Sequence, residues 1–140
     1  HRVFGENDPT DECERYANEI SQTLSHNAND IPAFDILILG MGGDGHTASI
    51  FPHQIRFLES ERLCEIATHP DSGQQRITIT GKIINASSCV YFLITGASKA
   101  PILAEIMHES GRYRDYPTSY VDPDGELFFF VDQSAATQLD

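Results

Sequence analysis

Asp44 and His46 stand two residues apart inside Gly40-Met41-Gly42-Gly43-Asp44-Gly45-His46-Thr47-Ala48-Ser49, a run holding four of the ten glycines of the chain. A carboxylate and an imidazole so close can act as an acid–base pair, the imidazole moving a proton and the carboxylate holding it in place. Two readings of the pair stand open on residue type alone. In one, Asp44 caps a short helix and His46 is merely exposed. In the other, His46 is a neutral imidazole that serves as a base, because the dipole of a first helical turn disfavours a cation there. The surrounding glycines let the backbone approach a ligand closely and adopt positive φ.

Several other chemistries are excluded by what is absent around the run. Gly40, Gly42 and Gly45 satisfy a G-x-G-x-x-G spacing, but Pro52 follows after about two turns, too soon for the helix that a dinucleotide site needs. Ser49 has no G-x-S-x-G elbow, so a serine nucleophile is not expected. His46 and His53 find no further ligands at metal-site spacing, so neither a metal nor any other cofactor is expected. His26, His69 and His108 read as surface residues, and Tyr113, Arg114 and Tyr116 fall in a polar loop able to cover a site.

The elements that must position the pair follow from periodicity. Asp8-Pro9 opens a helix in which Cys13, Tyr16, Ala17, Ile20 and Leu24 recur at helical spacing to about Ser25. Phe34 to Leu39 is a continuous apolar run ending in glycines, as in a strand buried on both faces. Arg76-Ile77-Thr78-Ile79-Thr80 alternates and suits a strand covered on one face. Cys89 to Thr95 predicts a second buried strand. A helix from Ala97-Ser98 has Ala100, Ile102, Leu103, Ile106 and Met107 inward and stops by Gly111. Leu127 to Val131 is a last strand. Strands alternating with helices predict an α/β layered fold with a mostly parallel sheet.

Length and charge narrow the partners. The chain has 140 residues, enough for one domain spanning 1–140. Its formal net charge of -12 makes nucleic acid and anionic membrane poor partners. A small anion remains a suitable ligand if some of the nine Lys and Arg converge. Cys13, Cys64 and Cys89 are scattered and odd in number, as expected of reduced thiols in a cytoplasmic protein. The longest apolar run, Val90 to Ile94, is far below spanning length, and no secretory segment precedes it. The opening at His1 without a methionine reads as a processed or cropped chain.

The segment from Phe34 through Gly40-Met41-Gly42-Gly43-Asp44-Gly45-His46-Thr47-Ala48-Ser49 to Pro52 closely resembles the signature of the 6-phosphogluconolactonases. Later blocks agree in order: Arg76 to Thr80, Ile84-Asn85-Ala86, Gly96 with Lys99-Ala100, Pro117-Thr118-Ser119, and Asp132 with Ala135. The resemblance implies a Rossmann-like fold, incomplete here at the N-terminus, and hydrolysis of a small phosphorylated sugar lactone without cofactor. It implies His46 as general base, Asp44 as its orienting partner, and Gly42, Gly43 and Gly45 around the substrate. It also implies Arg76 and Lys99 as a phosphate clamp. Since Arg76 opens its strand whereas His46 and Lys99 follow theirs, the Arg76 strand is expected to run antiparallel to its neighbours. The related glucosamine-6-phosphate deaminases share the Asp-Gly-His core but carry Asn-Glu-Pro after it, where this chain has Ile50-Phe51-Pro52. A deaminase is thus the alternative within the superfamily, and a non-catalytic sugar-phosphate-binding module the alternative outside catalysis. Members of the resembled family also carry an upstream Gly-Gly-Ser loop and an Asp-Glu-Arg motif, neither of which occurs before residue 34. Weak or no activity is therefore expected of these residues alone.

Overall fold

The computed structural model describes residues 1–139. Helix α1 spans Pro9–Thr23, and the Asp8 side chain accepts from the backbone N–H of Thr10 and Asp11, capping donors that the first turn leaves unsatisfied. Glu12 in that turn is buried and fully engaged. It accepts from the Phe4 backbone, from Asn7 and from the Arg15 guanidinium, which tethers the N-terminal segment to α1. The Arg15 contact, assisted by those of Phe4 and Asn7, pulls the Glu12 carboxyl down to about 2 against the cost of burial.

Five strands follow in two sheets. Strands β1 (Leu37–Gly40), β4 (Cys89–Ile94) and β5 (Glu126–Val131) form a parallel sheet in the order β1-β4-β5. Strands β2 (Cys64–Thr68) and β3 (Gln75–Ile79) form a separate antiparallel hairpin. Short helix α2 (Gly81–Ala86) leads into β4, and α3 (Ala100–Met107) connects β4 to β5. The α/β architecture and the mostly parallel sheet agree with the sequence-based expectation. Strand β2 was not foreseen, because Cys64-Glu65-Ile66-Ala67-Thr68 carries little β-branched alternation and owes its conformation to pairing with β3.

One face of the parallel sheet is the core. Leu39, Val90, Phe92 and Ile94 pack there with Ile50, Phe51, Leu103 and Ile106, and Phe92 stacks on Phe129 at 5.1 Å. The expectation that β1 and β4 are buried on both faces is corrected by the opposite side. Ile38 is 60% exposed, Leu93 51% and Phe130 52%, and the register sets Ile38 beside Tyr91 and Phe128 on that open face. A second cluster joins Cys13 and Ile20 of α1 to Cys64, Ile66, Ile77 and Ile79 of the hairpin. Alternation in β3 therefore puts Ile77 and Ile79 under α1 and turns Arg76 and Thr78 the other way. Among the described residues no helix is long and apolar enough to cross a membrane.

Candidate active site

The glycine run begins where β1 ends, at the carboxyl edge of the parallel sheet, where open α/β sheets bind ligands. It forms a closed turn. Gly42 N–H donates to the His46 carbonyl at 2.8 Å, Gly45 N–H to the Gly42 carbonyl at 3.2 Å, and the Thr47 hydroxyl to the Gly40 carbonyl at 2.9 Å. No helix follows at once; the next helical turn is 3₁₀, from Pro52 to Leu58. Neither the helix-cap reading of Asp44 nor the dipole reading of His46 therefore applies, and the loop's own hydrogen bonds hold the pair instead.

Within the turn, Asp44 Oδ1 accepts from the His46 backbone N–H at 3.1 Å and from His46 Nδ1 at 2.6 Å. A carboxylate can only accept, so Nδ1 carries a proton, and in the neutral ring Nε2 then holds the lone pair. Burial pushes the Asp44 carboxyl up, but the bonds from His46 outweigh it and hold it below the usual carboxylate value. The imidazole lies against Gly42, where a Cβ would come within 2.2 Å of Nδ1, so any side chain at 42 would displace the ring. Gly45 adopts φ +78°, and a Cβ there would meet the Tyr116 ring at 2.6 Å. On its outer side the His46 ring tilts onto Phe51 at 4.7 Å. His46 lines a depression of about 290 Å³ with Ile38, Gly40, Met41, Gly42 and Ala48, beside the open face of the sheet.

The two cations reach the loop from different sides. Lys99 precedes α3, and its Nζ lies 3.9 Å from the point that a Cβ on Gly43 would occupy. Arg76 lies over the Phe51 ring at 5.9 Å and donates to Gln74 Oε1. It lines a separate depression of about 330 Å³ with Ser49, Gln74, Phe4 and Asn7. The structure thus brings Asp44, His46, Gly42, Gly43, Gly45 and Lys99 together, while Phe51 stands between His46 and Arg76. Strand β3 is antiparallel as expected, but its partner is β2 and not the central sheet.

Residues outside the Asp44–His46 pair and the expected phosphate clamp also shape the site. His69 and His53, read as surface or idle, lie 5.3 and 5.9 Å from the Phe51 ring, His69 because it directly follows unforeseen strand β2. Thr118 and Tyr116 press on the glycine turn from a segment more than seventy positions away, a contact that no local pattern encodes. Among the described residues no three His, Cys, Asp or Glu side chains converge as a metal site.

Fold and site together define an α/β protein with an Asp–His acid–base pair on a glycine turn at the edge of its parallel sheet. The family described as glucosamine-6-phosphate isomerases/6-phosphogluconolactonase matches residues 1–129, and the chain belongs to it. The 6-phosphogluconolactonase of Aggregatibacter actinomycetemcomitans is 41% identical over 140 residues, covering 99% of this chain and 58% of its own. The crystal structure of the devB protein superposes with a TM-score of 0.92 at 36% identity, over 100% of this chain and 58% of that one. That of the 6-phosphogluconolactonase from Thermotoga maritima gives 0.77 at 31% identity, over 94% and 55%. The chain thus spans between two-fifths and three-fifths of the length of the curated relatives it matches.

Proposed function

We propose that this chain carries the catalytic pair of a 6-phosphogluconolactonase, hydrolysing 6-phospho-D-glucono-1,5-lactone to 6-phosphogluconate in the cytoplasmic oxidative pentose phosphate pathway. The observation that carries this reading is His46 bonded through Nδ1 to Asp44, which leaves Nε2 free of that contact, and a cation, Lys99, beside the same turn. Nε2 takes a proton from water as the water oxygen bonds to C1 of the lactone. The tetrahedral intermediate then collapses, the bond from C1 to the ring oxygen breaks, and the imidazolium returns the proton to that oxygen. Asp44 stabilises the transient imidazolium. Of the glycines in the turn, Gly42 and Gly45 commit their N–H groups to the loop itself, and the Gly43 N–H remains a donor for the developing oxyanion. Lys99 and Arg76 supply fixed positive charge for the phosphate.

Deamination of glucosamine 6-phosphate fits this site less well. The position that the deaminases fill with glutamate is Phe51, a buried ring packed on His46, so Asp44 is the carboxylate bonded to the imidazole. The test follows lactone opening by NMR, corrected for spontaneous hydrolysis, in the wild type and in His46→Ala. Loss of a general base is expected to cost about 10²- to 10⁴-fold in kcat. Unchanged turnover in His46→Ala removes the mechanism. A chain, fused to the unmatched part of a relative, that binds 6-phosphogluconate without turning the lactone over identifies a binding module instead.

A further inference from the structure

The Gly45 carbonyl accepts two hydrogen bonds from a single distant residue: the Thr118 backbone N–H at 3.1 Å and the Thr118 hydroxyl at 2.9 Å. Thr118 is 1% exposed and sits in the 3₁₀ turn Pro117–Tyr120. The same segment is anchored to α3. Tyr116 fills the space beside Gly45 and donates its hydroxyl to Glu105 at 2.8 Å, and Glu105 also accepts from the Arg112 backbone at 2.9 Å.

The peptide group between Gly45 and His46 is therefore gripped at both ends. Its carbonyl is held by Thr118, and its N–H donates to Asp44 Oδ1. That carboxylate oxygen is also the acceptor of His46 Nδ1–H. Rotation of this one peptide plane would move the N–H off Asp44 and the ring off its partner in the same motion. Two bonds converging on one carbonyl oxygen fix the plane in a way that one bond does not.

We infer that Thr118 is a positioning residue: its hydroxyl locks the Gly45–His46 peptide plane and thereby holds His46 in the tautomer with Nδ1 protonated. The catalytic consequence rests on the base role proposed for His46, but the positioning does not. Thr118→Val keeps the volume and the backbone bond and removes only the hydroxyl bond, whereas Thr118→Ser restores it.

The test reads the His46 ring nitrogens by ¹⁵N NMR in the 140-residue chain, and kcat and KM for the lactone in the same chain fused to the unmatched part of a relative. In the wild type and Thr118→Ser, a single tautomer with Nδ1 protonated is expected. In Thr118→Val the tautomers mix, and kcat falls about tenfold with KM unchanged, as a small misplacement of a reacting group requires. Should valine at 118 prevent folding, Thr118→Ala removes the same hydroxyl without adding a methyl group. A merely structural threonine would lower the melting temperature and leave the tautomer of the folded chain alone, and that result overturns the inference. A tautomer shift in a chain whose fused wild type shows no His46-dependent turnover upholds the positioning role and overturns the hydrolase reading instead.

Discussion

The chain sets nine Lys and Arg against 21 Asp and Glu, so an available carboxylate is the usual fate of a cation here. Arg2, Arg15, Arg62, Lys82 and Arg112 each pair with one. Among the described residues Arg56, Arg76, Lys99 and Arg114 do not, and of these Lys99 has its ammonium beside the glycine turn whereas Arg76 lies over Phe51. A cation left without a carboxylate beside the Asp44–His46 turn is the one placed to attract an anion there. Lys99→Met is accordingly expected to weaken 6-phosphogluconate binding about tenfold or more, since a hydrogen bond to a charged group contributes about 1.5–3 kcal/mol. Arg56, packed over Phe57 away from the turn, is the control, and Arg56→Met should leave the affinity unchanged in the same titration. Equal losses in both variants would show that overall charge, and not a site, governs binding.

At the scale of elements, the end of α3 shows how a local pattern sets a boundary only approximately. The sequence places the stop by Gly111, whereas α3 ends at Met107. Ser110 N–H bonds back to the Glu105 carbonyl at 2.9 Å and Glu109 N–H to the Ile106 carbonyl at 3.2 Å, the pattern of a Schellman cap. The left-handed residue in that cap is Glu109, at φ 48°. A non-glycine side chain costs about 1–2 kcal/mol there, partly offset by the extra chain freedom that glycine loses on folding. Glu109→Gly is therefore expected to stabilise the protein by about 0.5–1 kcal/mol. Urea titration checks this: the midpoint should rise with an unchanged slope. A lower midpoint would mean that contacts of Glu109 outweigh its strain.

At the scale of the whole molecule, the parallel sheet is covered on one face only. Ile36, Ile38, Leu93, Phe128 and Phe130 form an open apolar face, unlike the parallel sheets of α/β folds, which are covered on both. The depression beside His46 opens next to that face through Ile38 and Gly40. Relatives carry further chain beyond the stretch that matches, which suits both the open face and the unfinished wall of the site. Fusing this chain to the unmatched part of the Aggregatibacter actinomycetemcomitans lactonase should therefore raise lactone turnover at least about tenfold over the 140-residue chain. It should also lower the fluorescence of an apolar dye bound to the chain. Equal rates and equal dye binding would show that the site is complete as it stands.

The sequence by itself singled out the residues proposed to carry chemistry and most of the elements beneath them. Periodicity marked α1, β3, β4, α3 and β5, because apolar spacing is a local property, and the Asp8 cap was legible for the same reason. The Gly40–Ser49 run drew attention to Asp44 and His46, and the resemblance chose between a helix cap and an acid–base pair. Tertiary structure decided the rest. Strand β2 exists because β3 pairs with it, and the open sheet face reflects which layers are present, which an apolar run does not report. Phe51 came to separate Arg76 from His46, and Thr118 came to grip the Gly45 carbonyl, through contacts between distant segments. Local pattern fixes what a segment prefers, but the neighbour that satisfies a given carbonyl or covers a given ring is chosen only when the chain packs.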